Sequence, residues 1–414
     1  MLPGYEIIAQ DKKSRARTGR LHLIHGTVET PAFAPVSTRG GIKLLDIQDL
    51  ENMKTQILMA NTYHLYLRPG HERIKRLGGL HTFIGWDKPI MTDSGGYQVF
   101  SLGVGSVLGR SKFEYASEEQ ISSMNGFLEK HGRKTRVRIT EEGVVFRSVY
   151  DGTIHKFTPE RSLDIQTSLG SDMMFVLDEC TSPSADYEYT KLSMERTHRW
   201  AERSLKHSVN IHHGDNRPAV FGIVQGGLFR DLREESARFI SELEVNGRKF
   251  DGIGIGGAFG RDQMYEVLDW IIPILPEEKP RHLLGIGTIT DIFESVKRGV
   301  DLFDCVGPQR IGRAGYFYVS PESGGTPDNK FRYRITNSRF KDDTSPLDPN
   351  CSCPVCKRYS RAYIHHLIKI EPLAGMRLTT YHNIYFVLEL MRRIRRSINE
   401  GSFTQLYEKW MKNG

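Results

Sequence analysis

Seven short apolar segments of this chain share one pattern: a run of aliphatic residues that ends abruptly at an acidic, amide or glycine residue. The segments span residues 56–61, 89–93, 173–178, 219–225, 252–257, 283–287 and 300–304. Amphipathic helical stretches at 160–169, 186–207, 229–243 and 261–275 separate several of them. Because the apolar residues are continuous rather than alternating, the pattern predicts strands that are buried on both faces, as in a parallel sheet.

Seven or eight strand–helix units within about 300 residues predict an α/β fold of the (β/α)8 TIM-barrel type. A doubly wound open sheet is the alternative that the same pattern permits. In a barrel, the polar residues at the carboxyl ends of the strands face one mouth, where barrel enzymes place their chemistry. The residues expected to converge there are Asp93, Asp178, Gln225, Gly256, Gly257 and Asp304.

The composition of the 414 residues is that of an ordinary globular protein, with 38% hydrophobic and 26% charged residues. It excludes disordered and collagen-like chains. No apolar run reaches the ~18–20 residues of a membrane helix, and the amino terminus lacks the apolar core of a secretory signal. We therefore expect a cytoplasmic protein with no membrane partner. The net charge of +7 fits a polyanionic partner, but it also fits a protein that is merely soluble.

Three of the five cysteines lie within six residues, at Cys351, Cys353 and Cys356. Five cysteines are too few for a disulfide framework in a chain of this size. Three thiolates so close together repel one another unless a cation neutralises them, and sulfur ligands suit zinc. The alternative is a group of buried or redox-active thiols without a metal. The candidates for a fourth zinc ligand are His365, His366 and His382.

Eight motifs occur along the chain: NTYHL at 61–65, LRPG at 67–70, TDSGGYQ at 92–98, LDECT at 177–181, GIVQGG at 222–227, FDCV at 303–306, CSCPVC at 351–356 and SRAYIHH at 360–366. In this order they resemble the tRNA-guanine transglycosylase family (queuine/preQ1 tRNA-ribosyltransferases), and the resemblance runs from about residue 19 to the carboxyl terminus. It implies a (β/α)8 barrel with a zinc-binding subdomain inserted near the carboxyl terminus. We expect a catalytic barrel over residues 1–340, with an insertion at about 103–140, and a zinc-binding subdomain with C-terminal helices over 341–414.

The resemblance also implies an activity and its partners. The family exchanges guanine 34 in the GUN anticodons of the Asp, Asn, His and Tyr tRNAs for a 7-deazaguanine base, in queuosine biosynthesis. We expect preQ1 as the incoming base. The partners implied are therefore the anticodon loop of a tRNA and a 7-deazaguanine base.

Two aspartates match the family's catalytic residues. Breaking a base–ribose bond builds positive charge on the sugar, which a carboxylate can stabilise before it forms a covalent ester. Asp304 matches the family's nucleophile and would form this ester with the ribose. A second carboxylate must move a proton to or from the base, and Asp93 matches the family's proton acceptor. Taken singly, either aspartate could instead cap a helix or form an ion pair.

The resemblance places the base against the segment formed by Asp93, Ser94, Gly95, Gly96 and Tyr97. The donor edge of guanine suits a carboxylate, and its O6 atom suits an amide or a backbone N–H. Asp178 would therefore take the donor edge, while Gln225 and the Gly257 N–H, beside Gly256, would take O6. Capping, turn-forming and packing roles are the alternatives for each residue alone.

Two segments match the parts of the family that contact RNA. The first comprises Gly285, Ile286, Gly287, Thr288, Ile289, Thr290 and Asp291, and the second comprises Gln309, Arg310, Ile311, Gly312 and Arg313. The guanidinium groups of Arg310 and Arg313 can bind phosphates or base edges. The alternative is that both side chains are simply solvated at the surface.

A predicted helix at 117–131 precedes a basic strip at 133–138, which could contact RNA phosphates or form a solvated loop.

The residues that match the family's zinc ligands are Cys351, Cys353, Cys356 and His382. Four protein ligands leave no open coordination position, so one structural Zn²⁺ per chain is expected. The following helix, which carries Tyr359, Tyr363 and His366, contributes to a homodimer interface in the family. Packing of this helix against the barrel is the alternative.

The chain departs from the family's usual form at three places. Gly307 and Gln309 replace the usual residues after the nucleophile, which bears on the choice of anticodon. The loop at 258–261 is shorter than usual, which bears on the choice of base, and the insertion at 103–140 is longer. A base exchanger that acts on DNA or on another RNA position therefore remains an alternative. A non-catalytic RNA-binding subunit is a second alternative, against which the presence of both Asp93 and Asp304 argues.

Overall fold

The computed structural model describes residues 2–99, 137–257 and 260–411, so the predicted helix at 117–131 and most of the basic strip at 133–138 lie outside it. The strands are β1 (Gly4–Gln10), β2 (Arg17–Leu23), β3 (Gly26–Thr30), β4 (Ala32–Ser37), β5 (Leu58–Ala60), β6 (Ile90–Thr92), β7 (Val137–Thr140), β8 (Gly143–Arg147), β9 (Ile154–Phe157), β10 (Met173–Phe175), β11 (Ala219–Val224), β12 (Glu244–Val245), β13 (Arg248–Lys249), β14 (Gly252–Ile255), β15 (Arg281–Leu283), β16 (Leu302–Cys305), β17 (Tyr316–Tyr318) and β18 (Arg332–Arg334).

The helices of the same ranges are α1 (Ile47–Asn52), α2 (Thr62–Leu67), α3 (His71–Arg76), α4 (Gly79–Ile84), α5 (Pro159–Leu169), α6 (Tyr187–Ile211), α7 (Arg230–Glu242), α8 (Arg261–Ile271), α9 (Ile289–Lys297), α10 (Gly307–Arg313), α11 (Pro354–Arg358), α12 (Arg361–Ile370), α13 (Pro372–Asn399) and α14 (Phe403–Met411). Short 3-10 turns lie at Pro321–Ser323 and Ser338–Phe340. Each described helix is too short or too polar to cross a lipid bilayer.

Eight strands form a closed barrel in the order β4-β5-β6-β10-β11-β14-β15-β16. All neighbouring pairs are parallel, and β16 closes the barrel by pairing with β4. The predicted helical stretches form α5 to α8, which lie between successive barrel strands as right-handed crossovers require. The prediction of a (β/α)8 barrel is therefore confirmed, and closure rules out the open doubly wound sheet.

Two barrel strands differ from the apolar pattern. The apolar pattern does not predict β4, which has Pro35 inside it and Pro31 directly before it; proline cannot donate to a ladder. The prediction of a strand at 283–287 is wrong, since β15 ends at Leu283 and the chain turns at Gly285, which has a φ of +74°. The buried residues of β15 include Arg281 and His282, which are 4% and 0% exposed. A search for apolar runs cannot find a strand whose buried side chains are polar.

A buried ion pair ties the N-terminal sheet to the amino end of the barrel. Strands β1 to β3 form an antiparallel sheet, and Arg17 of β2 binds both carboxylate oxygens of Asp301, at 2.9 and 2.7 Å. Tyr5 of β1 donates to the same carboxylate at 2.8 Å. A buried pair persists where further hydrogen bonds satisfy both charges, and the carbonyls of Glu277 and Lys279 accept the remaining Arg17 donors.

The 28-residue helix α13 organises the C-terminal region, which we propose to treat as a subdomain from about residue 341. It packs on α10, the helix that follows β16, and on strands β1, β2 and β4 of the main body. Its middle is buried all round, including Thr379, Thr380, His382 and Asn383 at 0% exposed. The helix therefore connects the cysteine cluster with the segment that follows Asp304.

Candidate active site and metal centre

Asp304 lies at the carboxyl end of β16, with one carboxylate oxygen held by two donors. His282 Nε2 is 2.9 Å from Oδ1, and the Gly285 N–H donates to the same oxygen at 3.0 Å. Within the described ranges no group donates to Oδ2. The Asp304 side chain is 12% exposed. One oxygen is thus fixed, and the other is left for a group that enters the mouth of the barrel.

Asp93 follows β6 at the same end of the barrel. Its Oδ1 accepts the Thr62 N–H at 2.8 Å, and its Oδ2 accepts the amide of Asn61. Burial raises the pKa of Asp93 to about 7 despite the Thr62 hydrogen bond, and the negative charge of Asp304 acts in the same upward direction. The two carboxylates therefore interact electrostatically, and Asp93 can gain or lose a proton near neutral pH.

Asp178, Gln225 and Ser94 form a third polar group at this mouth. Gln225 directly follows β11, and its Nε2 donates to Asp178 Oδ2 at 2.7 Å; Ser94 Oγ lies 3.4 Å from Asp178 Oδ1. Asp178 and Gln225 are 7% and 2% exposed. Burial raises the pKa of Asp178 to about 6, against the lowering effect of these two hydrogen bonds. The structure therefore brings together the polar residues that the strand ends predict.

Two glycines shape the walls beside these residues. At Gly256, a Cβ atom would lie 2.6 Å from Gln225 Nε2, so only glycine leaves room for this amide. Gly95 has a φ of +80°, and a Cβ atom there would lie 2.8 Å from the Phe157 ring. Gly257 follows Gly256 at the rim, and Gly96 donates its N–H to Ser94 Oγ at 3.2 Å. Tyr97 is partly buried in the same segment.

The two predicted RNA-binding segments are only partly on the surface. Among their residues, Gly285, Thr288 and Arg310 are exposed, and Ile286, Thr290, Ile311 and Arg313 are partly exposed. The buried ones are Gly287, Ile289, Asp291, Gln309 and Gly312. Gln309 is 5% exposed, and its amide donates to the Val36 carbonyl at 2.9 Å. The side chain of Gln309 thus fastens α10 to β4, and within the described ranges Arg310 and Arg313 form no ion pair.

The sequence motifs give no role to three residues that hold Asp93 and Asp304: His282, Asn61 and Thr62. Asn61 caps α2 by accepting the His64 N–H, which orients its amide donor toward Asp93. Thr62 donates its N–H to Asp93 and its hydroxyl to the Asp93 carbonyl. The sequence pattern does mark Asn61, since it is a polar residue directly after a buried strand. His282 lies inside a strand that the apolar pattern misplaced.

Cys351, Cys353, Cys356 and His382 form a compact cluster whose ligand atoms all lie within 4.8 Å of one another. His382 Nδ1 is 3.6 Å from Cys353 Sγ and 3.3 Å from Cys356 Sγ. Bond lengths of about 2.3 Å to sulfur and about 2.05 Å to nitrogen put two ligands of a tetrahedral zinc about 3.5 Å apart. His382 Nε2 lies 2.8 Å from the Tyr318 carbonyl, which fixes the ring and leaves Nδ1 unprotonated. The cluster could therefore hold a metal ion.

A second group of possible ligands, His25, His81 and Asp172, lies at the opposite end of the barrel. His25 Nδ1 is 2.7 Å from one Asp172 oxygen, and His81 Nε2 is 3.0 Å from the other. Nitrogen and oxygen ligands of a tetrahedral zinc would lie about 3.4 Å apart. The shorter distances are those of hydrogen bonds. We interpret this group as a bridge that joins the β2–β3 turn and α4 to the amino end of β10.

Of the residues of the predicted dimer surface, Tyr363 and His366 lie on α12, whereas Tyr359 lies just before it, at the end of α11. Tyr359 and Tyr363 stack at 5.4 Å between ring centroids. Tyr363 is 45% exposed, and His366 is also exposed. At the end of α12 and the start of α13, Ile370 and Leu373 are 63% and 68% exposed. Helix α12 packs on α13, which leaves Tyr363, His366, Ile370 and Leu373 exposed, and a second copy that covers them stays a prediction.

Comparison with known proteins identifies the family. A profile described as "Queuine tRNA-ribosyltransferase" matches residues 11–414. A putative queuine tRNA-ribosyltransferase of Archaeoglobus fulgidus is 50% identical over 405 residues, covering 96% of each chain. Queuine tRNA-ribosyltransferases of Roseiflexus sp. and Caldanaerobacter subterraneus are 45% and 42% identical, over 99% of this chain and 100% and 96% of theirs. The chain therefore belongs to the queuine tRNA-ribosyltransferase family, as its motifs predict, and is a pentosyltransferase.

Proposed function

We propose that this protein exchanges guanine 34 of tRNAs with GUN anticodons for a 7-deazaguanine, preQ1 first among the candidates, through a covalent Asp304–ribose intermediate. The observation that carries the proposal is the position of two carboxylates at one barrel mouth, where the charge of Asp304 helps to raise the pKa of Asp93. One of them, Asp304, has an oxygen with no donor from the described residues. The other, Asp93, has a pKa near 7. A nucleophile and a proton-transfer group are the two parts that base exchange requires.

In the first displacement, a lone pair of Asp304 Oδ2 attacks the anomeric carbon of the nucleotide. The bond between this carbon and N9 breaks, and its electron pair leaves with guanine. Protonated Asp93 supplies the proton that neutralises the departing base. Because the carboxylate already lies at the mouth with Oδ1 fixed, little reorganisation precedes the attack.

In the second displacement, the incoming base loses its N9 proton to ionised Asp93, and N9 attacks the anomeric carbon. The bond to Asp304 Oδ2 breaks, and the electron pair returns to the carboxylate. The proton that Asp93 gave in the first step is thereby recovered. The cycle consumes one base and releases another, with no net change in charge or oxidation state.

Base recognition follows from the buried polar residues beside the two aspartates. Asp178 accepts from the N1–H and N2–H₂ edge, while the second amide hydrogen of Gln225 and the Gly257 N–H donate to O6. A base without these groups would leave Asp178 and Gln225 buried and unsatisfied, so adenine and pyrimidines are rejected. A 7-deazaguanine keeps the same edge and is accepted.

The tRNA approaches over the exposed parts of the two RNA segments. Arg310 and Arg313 have no carboxylate partner within the described ranges, and burial together with the neighbouring charge of Arg310 lowers the pKa of Arg313. Guanidinium groups without a carboxylate partner bind phosphates strongly, and that of Arg313 is also partly buried. The target nucleotide must leave its stack to reach Asp304, and these cations would hold the flanking backbone as it does so. A second copy of the chain, docked through α12, would complete a homodimer.

The cysteine cluster would hold a structural zinc ion that supports this RNA surface. Next to the ligand His382, Asn383 donates its amide to the carbonyls of Pro308 and Tyr316, at 3.1 and 3.0 Å. Pro308 lies in α10, the helix that carries Arg310 and Arg313. The zinc ion would supply no chemistry to base exchange. It would neutralise the thiolates of Cys351, Cys353 and Cys356, and Asn383 beside His382 holds α10 in position.

Replacing His382 with alanine should remove the metal and loosen α10. We expect the zinc content to fall from about one ion per chain to near zero, and Tm to fall by more than about 5 °C, because a structural zinc contributes several kcal/mol to folding. Metal analysis and differential scanning calorimetry measure the two effects. His366→Ala is the matched control, since it removes an exposed histidine of α12 and should keep the metal. A His382→Ala protein that retains zinc would contradict the ligand assignment.

The function is tested by incubating the chain alone with unmodified tRNAs and labelled guanine, then with preQ1, preQ0 and queuine in separate reactions, and analysing the nucleosides by mass. Incorporation at position 34 of GUN tRNAs is the expected result. Incorporation at another position, or into DNA, would identify the exchanger that the Gly307 and Gln309 departures leave open. Binding of tRNA without any exchange would instead identify a non-catalytic subunit.

A further inference from the structure

We propose that His282 is a positioning residue for the nucleophile: it fixes Oδ1 of Asp304 and thereby selects Oδ2 as the attacking atom. This inference rests on the proposed function, and it concerns a residue that lies one strand away from Asp304 in the barrel. The residues that serve the reaction would then include one inside the barrel as well as those at its mouth.

The position of His282 is unusual for an imidazole. It lies in β15, between two parallel neighbours, and is 0% exposed. Its neighbours across the strands are Gly254 and Leu302, and the ring of Phe175 packs against it edge-on at 5.0 Å between centroids. A polar ring in such surroundings is costly unless it is hydrogen-bonded. The contact that satisfies it is the 2.9 Å bond to Asp304.

The hydrogen-bonding pattern indicates which nitrogen carries the proton. Nδ1 of His282 is buried and has no partner among the described residues. At Nδ1, a buried lone pair without a donor costs less free energy than a buried N–H without an acceptor. We therefore assign the neutral tautomer, which carries its proton on Nε2. His282 therefore donates to Asp304 Oδ1 as a neutral group, and it leaves the negative charge of the carboxylate in place.

Two donors on one oxygen have two consequences for the reaction. The first is orientation. Because His282 and the Gly285 N–H both hold Oδ1, the carboxylate cannot rotate, and Oδ2 stays directed into the mouth of the barrel. The second concerns the leaving group. In the second displacement the electron pair returns to the carboxylate, and the same two donors stabilise the charge that develops on it. His282 therefore acts on the chemical steps and makes no contact with tRNA.

A pair of variants separates the hydrogen bond from the packing of the ring. His282→Phe keeps a ring of similar size and removes the donor, whereas His282→Gln loses the ring but supplies an N–H near the position of Nε2. We expect His282→Phe to lower kcat by about 10- to 100-fold, the range seen when a residue that orients a reactive group is lost. KM for tRNA should change less than about 3-fold, because binding does not involve this residue. His282→Gln should recover most of the lost kcat.

The trapped covalent complex supplies a second readout. Denaturing gels of enzyme mixed with tRNA should show slower formation of the adduct for His282→Phe than for His282→Gln. If the phenylalanine variant does not fold, His282→Asn replaces it, since its shorter amide cannot reach Oδ1. Equal kcat values for the donor and non-donor variants, or a wild-type kcat in His282→Phe, would overturn the inference. If the wild-type enzyme itself neither exchanges guanine nor forms an adduct, the proposed function fails instead.

Discussion

Replacing Asp304 with asparagine should abolish both base exchange and the covalent tRNA adduct. The asparagine carbonyl can accept from His282 and Gly285 as Oδ1 of the carboxylate does, so the side chain should keep its place. The amide nitrogen then occupies the position of Oδ2 and has no lone pair that can attack the sugar. Loss of a nucleophile typically lowers kcat by roughly 10³-fold or more. Exchange of labelled guanine into tRNA measures this effect directly.

The asparagine variant also provides its own controls. Because the hydrogen bonds to Oδ1 are kept, its Tm should lie within a few degrees of the wild-type value. Its affinity for tRNA should be similar, since the role proposed for Asp304 is in the chemical step and not in the approach surface. A variant that is folded, binds tRNA and still exchanges guanine at more than about 1% of the wild-type rate would exclude Asp304 as the nucleophile.

The barrel could be predicted from the sequence because its buried strands are mostly apolar. Strand β11 is buried at all six positions, from Ala219 to Val224, and ends directly before Gln225. The rule that parallel strands present their carboxyl ends at one mouth was sufficient to bring Asp93, Asp178, Gln225 and Asp304 together. The roles proposed for these residues follow from the motifs, and substitution of each residue tests them.

Residues that serve the site from within the strands were harder to predict. His282 is polar and fully buried, so it interrupts the apolar run that would have marked β15. Pro35 interrupts β4 in the same way. Gln309 illustrates a different limit: its place in the motif suggested contact with RNA, whereas its amide binds the Val36 carbonyl inside the protein. Such roles depend on partners that are distant in sequence, and local patterns do not contain this information.

Replacing Asp93 with alanine should lower exchange by about 10²- to 10⁴-fold, the usual contribution of a general acid–base group. Alanine is preferable to asparagine here, because Oδ1 and Oδ2 of Asp93 both accept hydrogen bonds, from Thr62 and Asn61, and an amide could accept only one of them. The variant should remain folded. Burial raises the pKa of Asp93, so its ionised form opposes folding as the pH rises from about 4 to about 7. At pH 8, removal of this charge should leave Tm unchanged or higher.

The pH dependence of the wild-type enzyme should reveal both roles of Asp93. With a pKa of about 7 in the free enzyme, the protonated acid needed to expel guanine is lost as the pH rises, so kcat/KM for tRNA should fall above about pH 7. The incoming base needs ionised Asp93, so kcat/KM for the base should fall on the acid side. Esterification removes the negative charge of Asp304, which is one cause of the raised pKa. The decrease in kcat/KM for the incoming base on the acid side should therefore have its midpoint below pH 7.

Both limbs should disappear in Asp93→Ala, and added formate should restore part of the exchange, because a small carboxylate can enter the space that the side chain leaves. Formate should not rescue Asp304→Asn, in which the missing group must bond to the sugar and remain attached to the protein. Rescue of one variant and not the other would assign proton transfer and covalent attachment to separate carboxylates. If Asp93→Ala keeps the wild-type pH profile, another group handles the proton, and the pairing of these two aspartates as catalytic partners is wrong.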